Sequence, residues 1–274
     1  MRLRIHHEIK TEFDEPASMV VRSLRMSPRN FDGQYVRHWR IDVDSDCRQD
    51  RTSDPFGNVV HDFAVPGPLP GIVIVADGEV EVDDMAGVLK GIGVDRMPIG
   101  IYLRDTPLTE ITPPIRALAA DVRATSDGST LDVCHRLMER LHEAVAEVPA
   151  ELDELTGVAT GRPEDTLTAE EGSPVAQAHA FIAAARSLAL PARFISGYRL
   201  RDGGTNSLHA WAEALIDGLG WVAFDVTANK CPTDSYVRIA SGLDQAGAAW
   251  VRGYDRGSSS AVSSVKCVVE QVGY

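Results

Sequence analysis

A proline-rich passage, Thr106 to Pro114, separates two residue patterns that demand different kinds of layer. Before it, Leu3, Ile5, His7 and Ile9 alternate with polar residues, as do Trp39, Ile41 and Val43 and then Val80 and Val82. A period of two places successive side chains on opposite faces of a pleated strand. Ile72-Val73-Ile74-Val75 is apolar throughout, as expected of a strand buried on both faces. Asp54-Pro55-Phe56-Gly57-Asn58 is turn chemistry between such runs. Short strands with this punctuation predict a small antiparallel β-sandwich over residues 1–105. Asp77-Gly78 fits either a hairpin turn or a bulge.

Beyond the prolines the period becomes helical. Thr112 is placed to cap a helix that opens on Pro113 and runs to about Ser126-Asp127-Gly128. A second helix starts near Ser129 or Thr130. Its stripe of Leu131, Cys134, Leu137, Met138, Leu141 and Val145 has the spacing of one buried face. Cys134 lies inside that stripe and reads as a buried structural thiol. Glu147 to Glu171 is a polar loop with room for one short turn. Ser173 as N-cap and Pro174 at the first helical position open a third helix through about Leu188. Strands are expected at Ala192–Leu200, Ala210–Ile216 and Trp221–Val226. The prediction is an α+β chain: a β domain over 1–105, then a domain over 106–274 with a central helix on an antiparallel sheet and a C-terminal extension.

At 274 residues and 44% hydrophobic, the chain can bury a substantial core, and its formal charge of −13 with no basic run argues against a nucleic-acid partner. The first residues carry no apolar leader, and no stretch approaches the roughly 18 apolar residues of a membrane span, so a cytoplasmic location and no membrane partner are expected. Cys47, Cys134, Cys231 and Cys267 are scattered without metal-ligand spacing and are expected to be free thiols. No metal and no cofactor are expected.

Four blocks in the second half carry a more specific signal. They are Gly172-Ser173-Pro174-Val175-Ala176-Gln177, Leu188-Ala189-Leu190-Pro191-Ala192-Arg193-Phe194-Ile195-Ser196-Gly197-Tyr198, Leu208-His209-Ala210-Trp211-Ala212-Glu213, and Gly220-Trp221-Val222-Ala223-Phe224-Asp225-Val226-Thr227. In this order and spacing they resemble the bacterial transglutaminase-like family, whose core is papain-like. Arg25-Met26-Ser27-Pro28-Arg29 and Asp54-Pro55-Phe56-Gly57-Asn58 resemble signatures of the N-terminal domain that precedes that core, and Asp234 to Gly257 resembles the segment after it.

The resemblance implies a Cys-His-Asp enzyme whose thiolate forms at a helix N-terminus beside an imidazole. It assigns the histidine to His209 and the aspartate to Asp225. Ungapped counting from Pro191 puts the cysteine on Pro174, which has neither a nucleophile nor a backbone N–H. A cysteine there would also lend its N–H to an oxyanion hole, a donor worth roughly 3 kcal/mol of barrier. The reading that follows is a pseudoenzyme of transglutaminase fold that binds a peptide, a protein or an active homologue. The alternative is an active amide hydrolase, transamidase or ligase that pairs His209 and Asp225 with a relocated nucleophile. Ser173 and Cys231 are the substitutes to consider, although Ser173 has a simpler role as N-cap. Metal-assisted reuse of His209 and Asp225 lacks a third ligand at a suggestive spacing. Trp211 and Trp221 are expected to pack beside the His-Asp strands, and His179 to pack and hydrogen-bond on the central helix. His6 and His7 point to opposite faces of a strand and so do not form a metal pair.

Overall fold

The computed structural model describes residues 1–90, 97–150, 161–201 and 207–273. The class is α+β with antiparallel sheets, as the residue patterns predict. Two long strands, β1 (Arg2–Ser27) and β4 (Val59–Val82), form the spine of the N-terminal β layer. Pro66-Gly67-Pro68-Leu69-Pro70 lies inside β4, where the register against β1 shifts. Prolines cannot donate to a ladder, so pairing is interrupted there and each long strand has two halves. β2 (Gln34–Val43) pairs with the far half of β4 and β3 (Asp50–Ser53) with its near half. Hydrogen bonds join all of these strands into one sheet.

Asp77-Gly78 is neither a turn nor a bulge. Both residues keep register with β1 on one side and β2 on the other. Trp39 explains the glycine: a Cβ on Gly78 would sit 2.6 Å from the Trp39 ring and 2.4 Å from the His38 carbonyl oxygen.

The helices are α1 (Pro113–Thr125), α2 (Thr130–Ala144), α3 (Pro163–Ala169) and α4 (Pro174–Ser187). Of the polar loop expected between Glu147 and Glu171, residues 151–160 lie outside the described residues. The rest holds α3 and two short parallel strands, β5 (Ala146–Glu147) and β6 (Glu171–Gly172). Twelve of the fourteen residues of α4 are buried, so it is a central helix without a solvent face. Its alanines let α1, α2 and α3 approach closely. Its sheet runs β10-β7-β8-β9, formed by β7 (Ala192–Arg199), β8 (Leu208–Ile216), β9 (Gly220–Phe224) and β10 (Tyr236–Gly242).

Three devices fasten the parts together. Arg186 on α4 donates to the Tyr102 carbonyl at 3.0 Å, Thr109 Oγ1 at 2.7 Å and the Ala192 carbonyl at 2.9 Å, so the proline-rich passage is bolted to the helix. Asn58 mimics a strand neighbour, giving its amide to Ser241 O at 2.7 Å and accepting the Ser241 N–H at 2.8 Å. Gln34 does the same with Arg238 at 3.0 and 2.8 Å. Finally, β11 (Val251–Arg256) and β12 (Ala261–Gln271) leave the second half and pair with β1, opposite Met19–Leu24 and Leu3–Phe13 respectively. The C-terminal extension is thus part of the N-terminal sheet.

Candidate active-site remnant

His209 is the second residue of β8, opposite Gly197 of β7. Gly197 is required by its neighbour, since a Cβ there would lie 2.3 Å from the Trp211 ring. Asp225 follows the last residue of β9, where a backbone bridge to Lys230 turns the chain. Strand pairing therefore brings the two side chains together, with His209 Nε2 2.7 Å from Asp225 Oδ2. The imidazole is fully buried and the carboxylate nearly so, at 0% and 1% exposure.

Asp225 accepts three further hydrogen bonds. Thr227 Oγ1 donates to Oδ1 at 2.6 Å, Tyr236 OH to Oδ2 at 2.7 Å and the Ala228 N–H to Oδ1 at 3.3 Å. Burial alone would raise the Asp225 carboxyl. The facing His209 and the bonds from His209, Thr227 and Tyr236 outweigh it and hold the group well below the usual carboxylate range. Burial, and after it the same charge, pushes the Tyr236 hydroxyl far up, so it stays a donor.

The other ring nitrogen faces a cation. Arg201 Nη2 lies 3.4 Å from His209 Nδ1 and 2.7 Å from Glu147 Oε1. A guanidinium can only donate, so Nδ1 accepts and Nε2 carries the proton given to Asp225. Pro174, at the first turn of α4, shares a small cavity with His209, Val175, Gln245 and Trp250. A larger cavity of about 330 Å³ adjoins it, lined by Glu147, Pro174, Arg201, Leu208, Val265 and Cys267.

No hydrogen bond joins either proposed substitute to the imidazole among the described residues. The Ser173 hydroxyl accepts the Ala176 N–H at 3.2 Å, the N-cap role expected of it. Cys231 lies beside another histidine, its sulfur 3.6 Å from His135 Nε2, and burial pushes its thiol up to about 11. Cys134 is buried on α2, raised to about 12 by burial and then by Cys231. All four cysteines are free.

The family model for the bacterial transglutaminase-like N-terminal region matches residues 3–81, and that for the transglutaminase-like superfamily core matches residues 116–226. The chain belongs to the transglutaminase-like superfamily. An uncharacterised protein of Mycobacterium leprae is 24% identical over 263 residues, covering 92% of each chain. A candidate cysteine protease from Cytophaga hutchinsonii has a similar structure, with a TM-score of 0.74 at 20% identity over 100% of this chain and 92% of that one. The periplasmic domain of TgpA from Pseudomonas aeruginosa matches at a TM-score of 0.40 and 17% identity, over 81% and 90% of the two chains.

Much of what the superfamily blocks share in this chain holds structure together. Glu213 is buried between Arg193 Nε at 2.6 Å and Arg238 Nε at 2.7 Å, joining β8 to β7 and β10. Burial would raise its carboxyl, but the two guanidinium groups pull it down. Trp221 packs under Arg193, 3.9 Å from ring centroid to guanidinium carbon. Trp211 is buried with its ring 6.4 Å from that of His209. His179 accepts the Gln245 N–H at 3.0 Å, as expected for a packed helix histidine. His7 is buried while His6 faces Asp77 on the other side of β1. Among the described residues no group of three or more His, Cys, Asp or Glu is arranged to hold a metal ion, and no helix is long and apolar enough to cross a membrane. Thr227, Tyr236, Arg201, Trp250 and Cys267 were not legible as site residues. Only Thr227 left a local trace, as a hydroxyl two residues beyond Asp225.

Proposed function

We propose that this protein is a transglutaminase-fold pseudoenzyme: Pro174 stands where the nucleophile stood, and the old cleft now binds a peptide, a protein partner or an active homologue. The observation that carries the reading is the surroundings of His209 Nδ1. The base's outward nitrogen meets Arg201 and shares its small cavity with Pro174, and among the described residues no thiol or hydroxyl hydrogen-bonds to it. Ser196, the hydroxyl residue lining that cavity, donates to the Ala248 carbonyl at 2.8 Å. Cys267 is the thiol nearest in kind, in the wall of the larger cavity, but burial pushes it far up and leaves it a neutral thiol. A thiolate nucleophile needs the opposite shift.

The retained His209-Asp225 pair supports this reading because it is a scaffold element, fixing β8, β9 and β10 against one another. A cytoplasmic site of action belongs to the same proposal. The test is enzymatic. Wild type and His209→Ala are assayed side by side for glutaminyl transamidation and for peptide amide hydrolysis. Both are expected at background; turnover by wild type that disappears in His209→Ala would overturn the proposal in favour of an active enzyme with a relocated nucleophile.

A further inference from the structure

β2 pairs with β4 along one side, and its other side is an edge of the N-terminal sheet among the described residues. Hydrogen bonds at the ends of the ladder fix which β2 residues turn outward. The Val82 N–H bonds to the Met1 carbonyl at 2.7 Å, while the Asp83 and Asp44 N–H groups bond to the Gly33 and Val73 carbonyls at 2.9 and 3.1 Å. Antiparallel ladders alternate, so even residues of β4 bond towards β1 and odd residues towards β2. In register, Glu79 faces His38, Asp77 faces Arg40 and Val75 faces Asp42. The N–H and C=O groups of Trp39, Ile41 and Val43 therefore point away from β4.

The start of this edge is blunted. The register slips between Val36 and His38, and Asn30 Oδ1 accepts the Val36 N–H at 2.7 Å. From Trp39 to Val43 the cap found among the described residues is Gln49, whose amide reaches the Ile41 carbonyl at 3.3 Å. A concavity of about 540 Å³ borders Trp39 and Ile41. Side chains alternate across the strand. Trp39, Ile41 and Val43 pack on the core but are only partly buried, and His38, Arg40 and Asp42 are exposed on the opposite face. Arg40 and Asp42 pair along the strand at 3.2 Å with both side chains more than half exposed, at 69% and 58%, so the pair is weak and exchangeable.

We infer that this edge binds a second copy of the chain, β2 against β2, antiparallel about a two-fold axis at Ile41. Outward-turned residues must face outward-turned residues, which limits the registers available. Centred on Ile41, that residue meets the partner's Ile41, and Trp39 meets the partner's Val43, as mutually hydrogen-bonded pairs with their apolar side chains on the core-side face. On the exposed face Arg40 meets the partner's Asp42, and the two-fold repeats the pair. Moving the centre by one residue sets Arg40 against Arg40 or Asp42 against Asp42. Moving it by two sets His38 against Arg40 or Asp42 against Asp44. A strand that complements itself in one register and repels itself in the neighbouring ones selects its own copy over an arbitrary peptide. Backbone pairing and the apolar contacts hold the dimer, the exposed charges choose its register, and the Gln49 amide yields its place on the Ile41 carbonyl. The interface is independent of the function proposed for the His209 cleft.

The test is sedimentation velocity on the full chain from about 1 to 100 µM, a span that brackets a micromolar dissociation constant. Wild type is expected to pass from monomer to dimer across it. Asp42→Arg and Arg40→Asp each set like charges opposite one another and are expected to weaken the dimer at least tenfold. The double variant Arg40→Asp/Asp42→Arg is expected to recover wild-type association. Ile41→Pro removes an N–H that β4 does not use and is expected to stay monomeric throughout. A wild type that is monomeric at the top of the range would overturn the proposal. A dimer unmoved by the single variants and by Ile41→Pro would put the interface elsewhere and sink this edge. Single variants that dissociate without recovery in the double variant would overturn the register. Thermal melts of each variant separate loss of the dimer from loss of the fold.

Discussion

Asp225 keeps a charge out of water by surrounding it with donors: His209, Thr227 and Tyr236, with Arg199 at 3.6 Å. Removing that charge is expected to be costly. Asp225→Asn should destabilise the fold by about 3 kcal/mol at neutral pH, the usual scale for breaking a buried pair. The pH dependence has a definite sign. The folded-state carboxyl is depressed, so its stabilisation is present above the unfolded value of about 4 and is lost as pH falls below it. Urea denaturation of wild type and variant at pH 7 and at pH 3 should show the gap narrowing in acid. Position 174 allows a converse test. Pro174→Cys places a thiol at the helix N-terminus in the cavity it shares with His209. It should be alkylated by iodoacetamide at pH 7 at least tenfold faster than the same thiol in a His209→Ala background, as measured by mass spectrometry. At this scale the sequence showed both members of the pair, because their blocks are local. Arg201 and Cys267 were hidden, since they reach the cleft only through long-range pairing.

The turn Asp54-Pro55-Phe56-Gly57-Asn58 shows how an element can carry more than its backbone. Asp54 accepts the Asn58 N–H at 3.0 Å and the Asn58 amide at 2.9 Å, which aims the rest of that amide at Ser241 on β10. Asn58→Ala would leave the Ser241 N–H and carbonyl unpaired in a buried setting. A loss of about 2–3 kcal/mol is expected, measured by thermal or urea unfolding, with Asn58→Asp recovering only the accepting half. The sequence marked this segment as a turn but not as a fastener, because its partner is far along the chain. Helices were easier to read than strands. The α2 stripe from Leu131 to Val145 and the Ser173-Pro174 start of α4 are local signals, and both appear as expected. β1 and β4 are longer than their alternating runs because pairing on both sides carries them across residues with no strand pattern, including prolines.

Across the whole molecule, the N-terminal sheet and the helical core unfold as one unit if Asn58, Gln34, Arg186 and the returning strands couple them as described. Acid should expose that coupling. His7 and His179 are buried and held neutral, His7 down to about 3 by burial and then by His6, His179 to about 4 by burial against the pull of Asp244. Both take up protons on unfolding below the ordinary histidine value of about 6.5, so stability falls as pH drops from there towards 4, with a slope near 2.7 kcal/mol per pH unit where both contribute. His7 lies on β1 against Tyr198 and Trp250, and His179 on the central helix, yet one urea transition that shifts as a whole is expected, and His7→Gln should flatten the slope by about half. The expected α+β class and antiparallel layers were legible from residue period. The joining of residues 251–271 to β1 was not, because in β12 only Cys267 and Val269 are buried, too few to make a period.

That returning strand also sets an order of events. Val265 and Cys267 of β12 form a wall of the larger cavity beside Pro174, and β12 closes the sheet against β1. A nascent chain still short of residue 271 has the histidine, the aspartate and the central helix but lacks one side of the cleft. Binding in the proposed cleft can therefore begin only after translation has passed that strand, which would make it a certificate that β12 has been made and paired with β1.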